Sequence, residues 1–165
     1  MQTILKTAEQ LPRFFALALA SGLGSGYAKF APGTFGSLAA LVVWWVLSSF
    51  FVINLWQSIL LVAFTTGLGY LALRVAVNSD LLAEDPGWIV IDEWAGLFLA
   101  LVALAPTERT FVVVGFLLFR LFDATKWGPV GWAERLPGAL GIMVDDLVAG
   151  GVAAVAVVLL RACFS

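Results

Sequence analysis

No histidine occurs anywhere in the 165 residues, and cysteine occurs once, at Cys163. The first absence removes imidazole general bases, histidine nucleophiles and histidine-bound zinc. The second removes intrachain disulfides and thiolate-rich metal sites. Charge is also scarce, with nine Lys/Arg and eleven Asp/Glu making up 12% of the chain. So few cations at a net charge of −2 argue against a nucleic-acid partner. Apolar residues, by contrast, make up 62% of the chain. That composition excludes disorder, and it excludes an ordinary soluble domain, in which roughly 25% of residues are charged. An integral membrane protein remains, and residues 1–165 read as one membrane-embedded domain. Its chemistry must come from carboxylates, cations, hydroxyls and backbone.

The longest uncharged run extends from Phe30 to Leu73. A bilayer core needs about 20 helical residues per crossing, so this run suits two crossings and a turn. Phe35–Phe51 and Trp56–Leu73 read as that hairpin, with the turn near Asn54. Trp88–Ala105, closed by Pro106, is a third apolar segment. Thr110–Lys126 is a fourth, and Asp145–Leu160 a fifth. Arg13–Ser25 is continuously apolar only over Phe14–Ala20, too short to cross, and reads as an interfacial helix. It runs on into glycines without a cleavage context, unlike a signal peptide. The fold class predicted is all-α, a polytopic membrane bundle of about five segments plus that N-terminal helix. Val75–Gly87 and Trp127–Gly141 read as loops.

Ile89–Glu93 and Ile142–Asp146 each place an acidic pair after three apolar residues. Each pair is expected to open a helix. Ala95-Gly96 and Ala149-Gly150 follow about one turn later, small enough to allow close helix packing.

Acids inside a bilayer cost ~2.5–3.5 kcal/mol each at a helix centre. Tracing the hairpins brings Asp92, Glu93, Asp123, Asp145 and Asp146 to one side of the membrane, with Gly33 and Thr34. Five carboxylates at one level require positive charge between them. Oxygen donors without His or Cys select a hard cation, Mg²⁺ or Mn²⁺, and Mg²⁺ favours phosphate-bearing substrates. Lys29, Arg120 and Lys126 supply positive charge for a phosphate. Arg120, Asp123 and Lys126 recur at i, i+3, i+6 on roughly one helix face. The glycine-rich stretch Gly22–Gly26, followed by Pro32–Ser37, opens a helix whose N-terminal amides can bind an anion. No Gly-Lys-Ser/Thr closes it, so it is not a Walker A loop.

Gly24-Ser25-Gly26-Tyr27-Ala28-Lys29-Phe30-Ala31-Pro32-Gly33-Thr34-Phe35-Gly36-Ser37-Leu38 resembles the N-terminal motif of the bacterial phosphatidylglycerophosphatase A family. Ile91-Asp92-Glu93-Trp94-Ala95-Gly96 resembles its second motif. Phe119–Lys126, followed by Gly141–Gly150, resembles its third. The chain departs from the family pattern at Trp127-Gly128-Pro129-Val130 and at Gly138-Ala139. The resemblance implies Mg²⁺-dependent release of the terminal phosphate of phosphatidylglycerophosphate, giving phosphatidylglycerol and inorganic phosphate in the bacterial inner membrane. It implies catalytic and metal-holding roles for Asp92, Glu93, Asp123, Asp145 and Asp146. Lys29, Thr34, Arg120 and Lys126 would bind the substrate phosphate.

Other chemistries fit less well. Cys-x5-Arg, Asp-x-Asp and the Asp-Gly-x2-Ala-Arg signature of alcohol phosphotransferases are all absent. A cation or proton transporter using the carboxylates is the alternative, but its acids would form a ladder through the bilayer. With five crossings, the acidic side holds Lys6, Arg13, Lys29, Arg74, Arg120, Lys126 and Arg135, and the other side only Arg109 and Arg161. The positive-inside rule then puts the acidic side in the cytoplasm.

Overall fold

The structure is a computed structural model that describes residues 12–76 and 86–164, and it is helical throughout its regular elements. Helix α1 covers residues 12–20 and is followed by a 3-10 turn at Ser25–Tyr27. Helix α2 is Pro32–Phe50, α3 Leu55–Ala76, α4 Ile91–Ala100, α5 Arg109–Thr125, α6 Pro129–Ala133 and α7 Gly138–Phe164. Residues 77–85, most of the expected Val75–Gly87 loop, lie outside the described residues, as does Lys6.

The first hairpin forms where the uncharged run places it. Pro32 sits at the first position of α2, where its fixed φ suits a helix start and its missing N–H costs nothing. At the turn, Asn54 N–H donates to Gln57 Oε1 at 2.9 Å and Gln57 N–H donates to Asn54 Oδ1 at 3.1 Å. This reciprocal cap starts α3.

Three helices among the described residues are long and apolar enough to cross a bilayer: Pro32–Phe50, Leu55–Val75 and Gly138–Phe164. The third and fourth expected segments form shorter helices. α4 has ten residues, about 15 Å, and nearly all its side chains are buried. It gives way to a turn at residues 101–103, ahead of Pro106, whose ring disfavours helical geometry at the residue before it. The Glu108 carboxylate then takes the Ala105 N–H at 2.7 Å. The connection from α4 to α5 meets the far end of α7, where Arg161 donates to Ala103 O at 3.2 Å and pairs with Glu108 at 2.8 Å. The chain therefore passes between the two ends of the bundle five times.

α4 is the central element, packed against α2, α3, α5 and α7. Gly96 and Gly150 make its contact with α7 close. A Cβ on Gly96 would lie 2.6 Å from Asp146 O, and one on Gly150 would run into Gly96 O. The two Ala-Gly pairs thus meet each other, as their spacing predicts. Gly150→Val is expected to destabilise the bundle by about 1–3 kcal/mol or more through overpacking. Gly151→Ala, whose new methyl would meet only Leu99 Cδ2 at 3.9 Å, should not. Gel filtration of detergent-purified protein after graded heating distinguishes the two.

Two expectations near α7 are corrected. Trp127–Gly141 is not simply a loop, because it holds α6 and the first residues of α7. The acidic pair Asp145-Asp146 does not open its helix as Asp92-Glu93 does. α7 begins at Gly138, so the pair lies two turns inside. Burial of Ala139, Ile142 and Met143 extends the helix backward past the two glycines.

The outer faces are apolar. Phe35, Leu38, Val42 and Val46 on α2, and Val155 and Leu159 on α7, are exposed. Such faces suit lipid. Exposed aromatics mark both ends: Tyr27, Phe30, Trp127 and Trp132 at one, Phe50, Phe51, Trp56 and Phe164 at the other. Aromatic rings gather at membrane–water interfaces in the same way.

Candidate active site at one end of the bundle

The start of α4, the end of α5 and the third turn of α7 bring five carboxylates together with two cations. Asp92, Asp123, Asp145 and Asp146 are buried, at 7%, 7%, 5% and 2% exposure, and Glu93 is nearly so. The five acids do not form one uniform cluster. Asp123 is held by Arg120 Nη1 on one oxygen and by Lys126 Nζ at 3.1 Å on the other. Lys126 also reaches Asp145 Oδ2 at 2.5 Å and Asp146 Oδ1 at 3.9 Å. Arg120 lies 3.9 Å from Glu93 Oε1. Lys126 attains this position by ending α5 in the left-handed region, at φ 51°.

Asp92, Glu93 and Asp146 form a second group. Each offers one oxygen, and the three oxygens lie within 4.8 Å of one another. Glu93 Oε2 and Asp146 Oδ2 are buried and have no hydrogen-bond partner among the described residues. Unpartnered carboxylate oxygens in a dry site are costly. Three convergent hard donors are what a divalent cation such as Mg²⁺ or Mn²⁺ requires, so the residues present fit one. The charge count agrees, since among the described residues the five carboxylates pair only with Arg120 and Lys126.

Two predicted phosphate ligands are not drawn into the cluster. Lys29 is exposed in the bend before α2, and no ion pair joins it to the acids among the described residues. Thr34 is half-buried in the first turn of α2, its N–H donating to Ala31 O at 2.9 Å.

Gly33, which the hairpin trace already places with the acids, and Ser37, one turn further along α2, both stand in the N-terminal motif, and the structure gives both a contact with Arg120 that spacing alone does not show. Any side chain at Gly33 would strike Glu93 Oε1 and approach Arg120 at 3.2 Å. The fully buried Ser37 hydroxyl donates to Gly33 O at 2.7 Å and accepts from Arg120 at 3.5 Å. A buried hydroxyl in an apolar span was the available signal. Three further glycines serve packing. Gly22, Gly26 and Gly36 leave room for Trp94, the Trp88 carbonyl and Val90 respectively.

Fold and site together define an all-helical membrane protein with a buried acidic centre, braced by cations, at one end. Comparison with known proteins narrows the class. The family model described as Phosphatidylglycerophosphatase A matches residues 18–161. Phosphatidylglycerophosphatase A of Escherichia coli (strain K12) is 38% identical over 137 residues, 82% of this chain and 77% of that protein. Its Haemophilus influenzae counterpart is 36% identical over 132 residues, 79% of each chain. A Bacteroides thetaiotaomicron protein named "Putative phosphatidylinositol-3-phosphatase" is 36% identical over 143 residues, 84% of this chain and 89% of that one. No solved structure matches. The chain belongs to the phosphatidylglycerophosphatase A family.

Proposed function

We propose that this family member removes the terminal phosphate of phosphatidylglycerophosphate, giving phosphatidylglycerol and inorganic phosphate, with Mg²⁺ as cofactor. The observation that carries the reading is the convergence of Asp92, Glu93 and Asp146 beside Arg120 and Lys126. All of these lie at the membrane-surface end of a helical bundle. A lipid headgroup lies at that depth, which explains an enzyme built within the bilayer. The gathering of the acids at one end also disfavours a transport ladder.

Asp92, Glu93 and Asp146 would hold the metal. When bound, it supplies Lewis acidity at a phosphoryl oxygen and screens phosphate charge. Arg120 and Lys126 would turn toward the incoming phosphate, exchanging part of their pairing with Asp123 and Asp145 for charge-assisted bonds to phosphate oxygens. Asp123 and Asp145 keep both cations oriented until then. Hydrolysis breaks the bond between phosphorus and the glycerol oxygen, and water supplies the new P–O bond and the proton on the released alcohol. The absence of histidine means that proton movement falls to carboxylates and water.

The test is phosphate release by purified protein from phosphatidylglycerophosphate in mixed micelles, with phosphatidylinositol 3-phosphate as a parallel substrate. Release from the first identifies the activity. Release from the second alone overturns the choice of headgroup.

The site end would face the cytoplasm of a bacterial inner membrane. Lys29, Arg74, Lys126 and Arg135 flank that end, and Arg109 and Arg161 the other, consistent with the positive-inside rule. In a Cys163→Ser background, Thr107→Cys should react with a membrane-impermeant maleimide on intact spheroplasts and Glu134→Cys should not. The reverse pattern would invert the orientation.

A further inference from the structure

An apolar cleft of about 160 Å³ lies between α1, α2, α3 and α4, on a different face of α4 from the carboxylates. We propose that it holds a stretch of an acyl chain of the phosphorylated glycerophospholipid whose headgroup the carboxylate site receives. The proposal rests on the phosphatase reading above and adds where the substrate's hydrocarbon goes.

Position and direction support it. Ile91 and Trp94, which bracket Asp92 and Glu93 in the sequence, line the cleft. Phe98, Val43 and Leu61 line it deeper in the bundle. Phe98 is six residues along α4 from Asp92, about 9 Å further in. On α2, Val43 lies ten residues, about 15 Å, beyond Gly33, which abuts Glu93. On α3, Leu61 lies about 12 Å from Gly69, which faces Ile91. The cleft therefore begins at the depth of the carboxylates and runs toward the bilayer centre. A lipid with its phosphate at the carboxylates directs its chains the same way.

Access and polarity agree with a lipid occupant. Phe64, on the cleft wall, is 65% exposed, so the cleft opens sideways to the surrounding hydrocarbon. The walls are apolar apart from Thr65 and the indole nitrogen of Trp94, and that nitrogen is buried against Gly22 and not open to the cleft. A free phosphate or a soluble phosphomonoester would gain nothing from such walls.

The test compares a long-chain phosphatidylglycerophosphate with its dihexanoyl form, using wild type and two variants that fill the cleft, Leu61→Trp and Val43→Phe. In the variants, KM for the long-chain lipid should rise roughly tenfold, the effect of about two methylenes losing their burial. The kcat for both lipids and the KM for the dihexanoyl form should hold. Equal effects on both lipids, or none on either, would overturn the cleft assignment. Because either variant can fail to fold, wild-type protein is also irradiated with a lipid carrying a diazirine in its acyl chain. Crosslinks should map to Leu61, Phe64 and Trp94; crosslinks confined to the outer face of α7, at Val155 and Leu159, would overturn the assignment. If wild type releases phosphate from neither lipid, the phosphatase reading itself fails, and the crosslinks still report on the cleft.

Discussion

Asp146→Asn is expected to lower kcat by at least ~10²-fold, the loss seen when a major electrostatic element of an active site is removed. Asp146 is the most buried of the five acids, at 2% exposure, and it belongs to both charge systems. One oxygen faces Lys126, and the other has no partner among the described residues. The amide keeps the shape but removes the charge that a divalent cation needs. Mn²⁺ can stand in for Mg²⁺ at oxygen sites, so its binding, read by electron paramagnetic resonance, should weaken in parallel. Glu134→Gln, at an exposed position beyond α6, is the control and should leave both readouts unchanged. Wild-type turnover and Mn²⁺ affinity in Asp146→Asn would mean that the metal lies elsewhere.

Exhaustive chelation should abolish hydrolysis, a loss of more than ~10²-fold, and added Mg²⁺ should restore it. The physical ground is the charge count in a dry site. Among the described residues Asp92, Glu93, Asp123, Asp145 and Asp146 face two cations, Arg120 and Lys126, and a phosphate would add further negative charge. Without a bound cation, substrate entry would meet repulsion in a medium that screens it poorly. Thiol chemistry should contribute nothing. Cys163 is exposed near the C-terminus of α7, at the opposite end from the carboxylates, and Cys163→Ser is expected to be close to neutral. Full activity after chelation, checked by metal analysis of the same sample, would overturn the metal-dependent reading.

Much of the architecture was legible because it follows from short-range rules. The α2–α3 hairpin appears within a few residues of its expected bounds, since an uncharged run of that length leaves few alternatives. The convergence of the acids at one end followed from counting reversals, because every second traverse returns the chain to the same end. The meeting of Gly96 with Gly150 was readable from two matched Ala-Gly pairs. Other features were hidden. The start of α7 depends on Ala139, Ile142 and Met143 finding a packed surface, and no local signal overrides the glycines and proline before them. α4 reads as a spanning segment by composition, yet it is a short helix enclosed by four neighbours. Its apolar character serves burial in protein as much as contact with lipid. Gly33 and Ser37 lay in plain view, but their role depends on Arg120 and Glu93 arriving from other helices.

The sequence by itself determined the chemistry available: oxygen donors without imidazole or a thiolate cluster, cations concentrated toward one end, and an apolar chain that only a bilayer suits. Tertiary structure decided how the five carboxylates divide. Helical periodicity fixes the face a side chain occupies, but not the neighbour across that face. The close α4–α7 crossing at Gly96 and Gly150 brings Asp92 and Glu93 beside Asp146. The left-handed end of α5 turns Lys126 onto Asp123 and Asp145. Asp123 and Asp145 thereby take the closest ion pairs while Asp92, Glu93 and Asp146 converge within 4.8 Å, because packing at a glycine contact, not spacing along the chain, sets those distances.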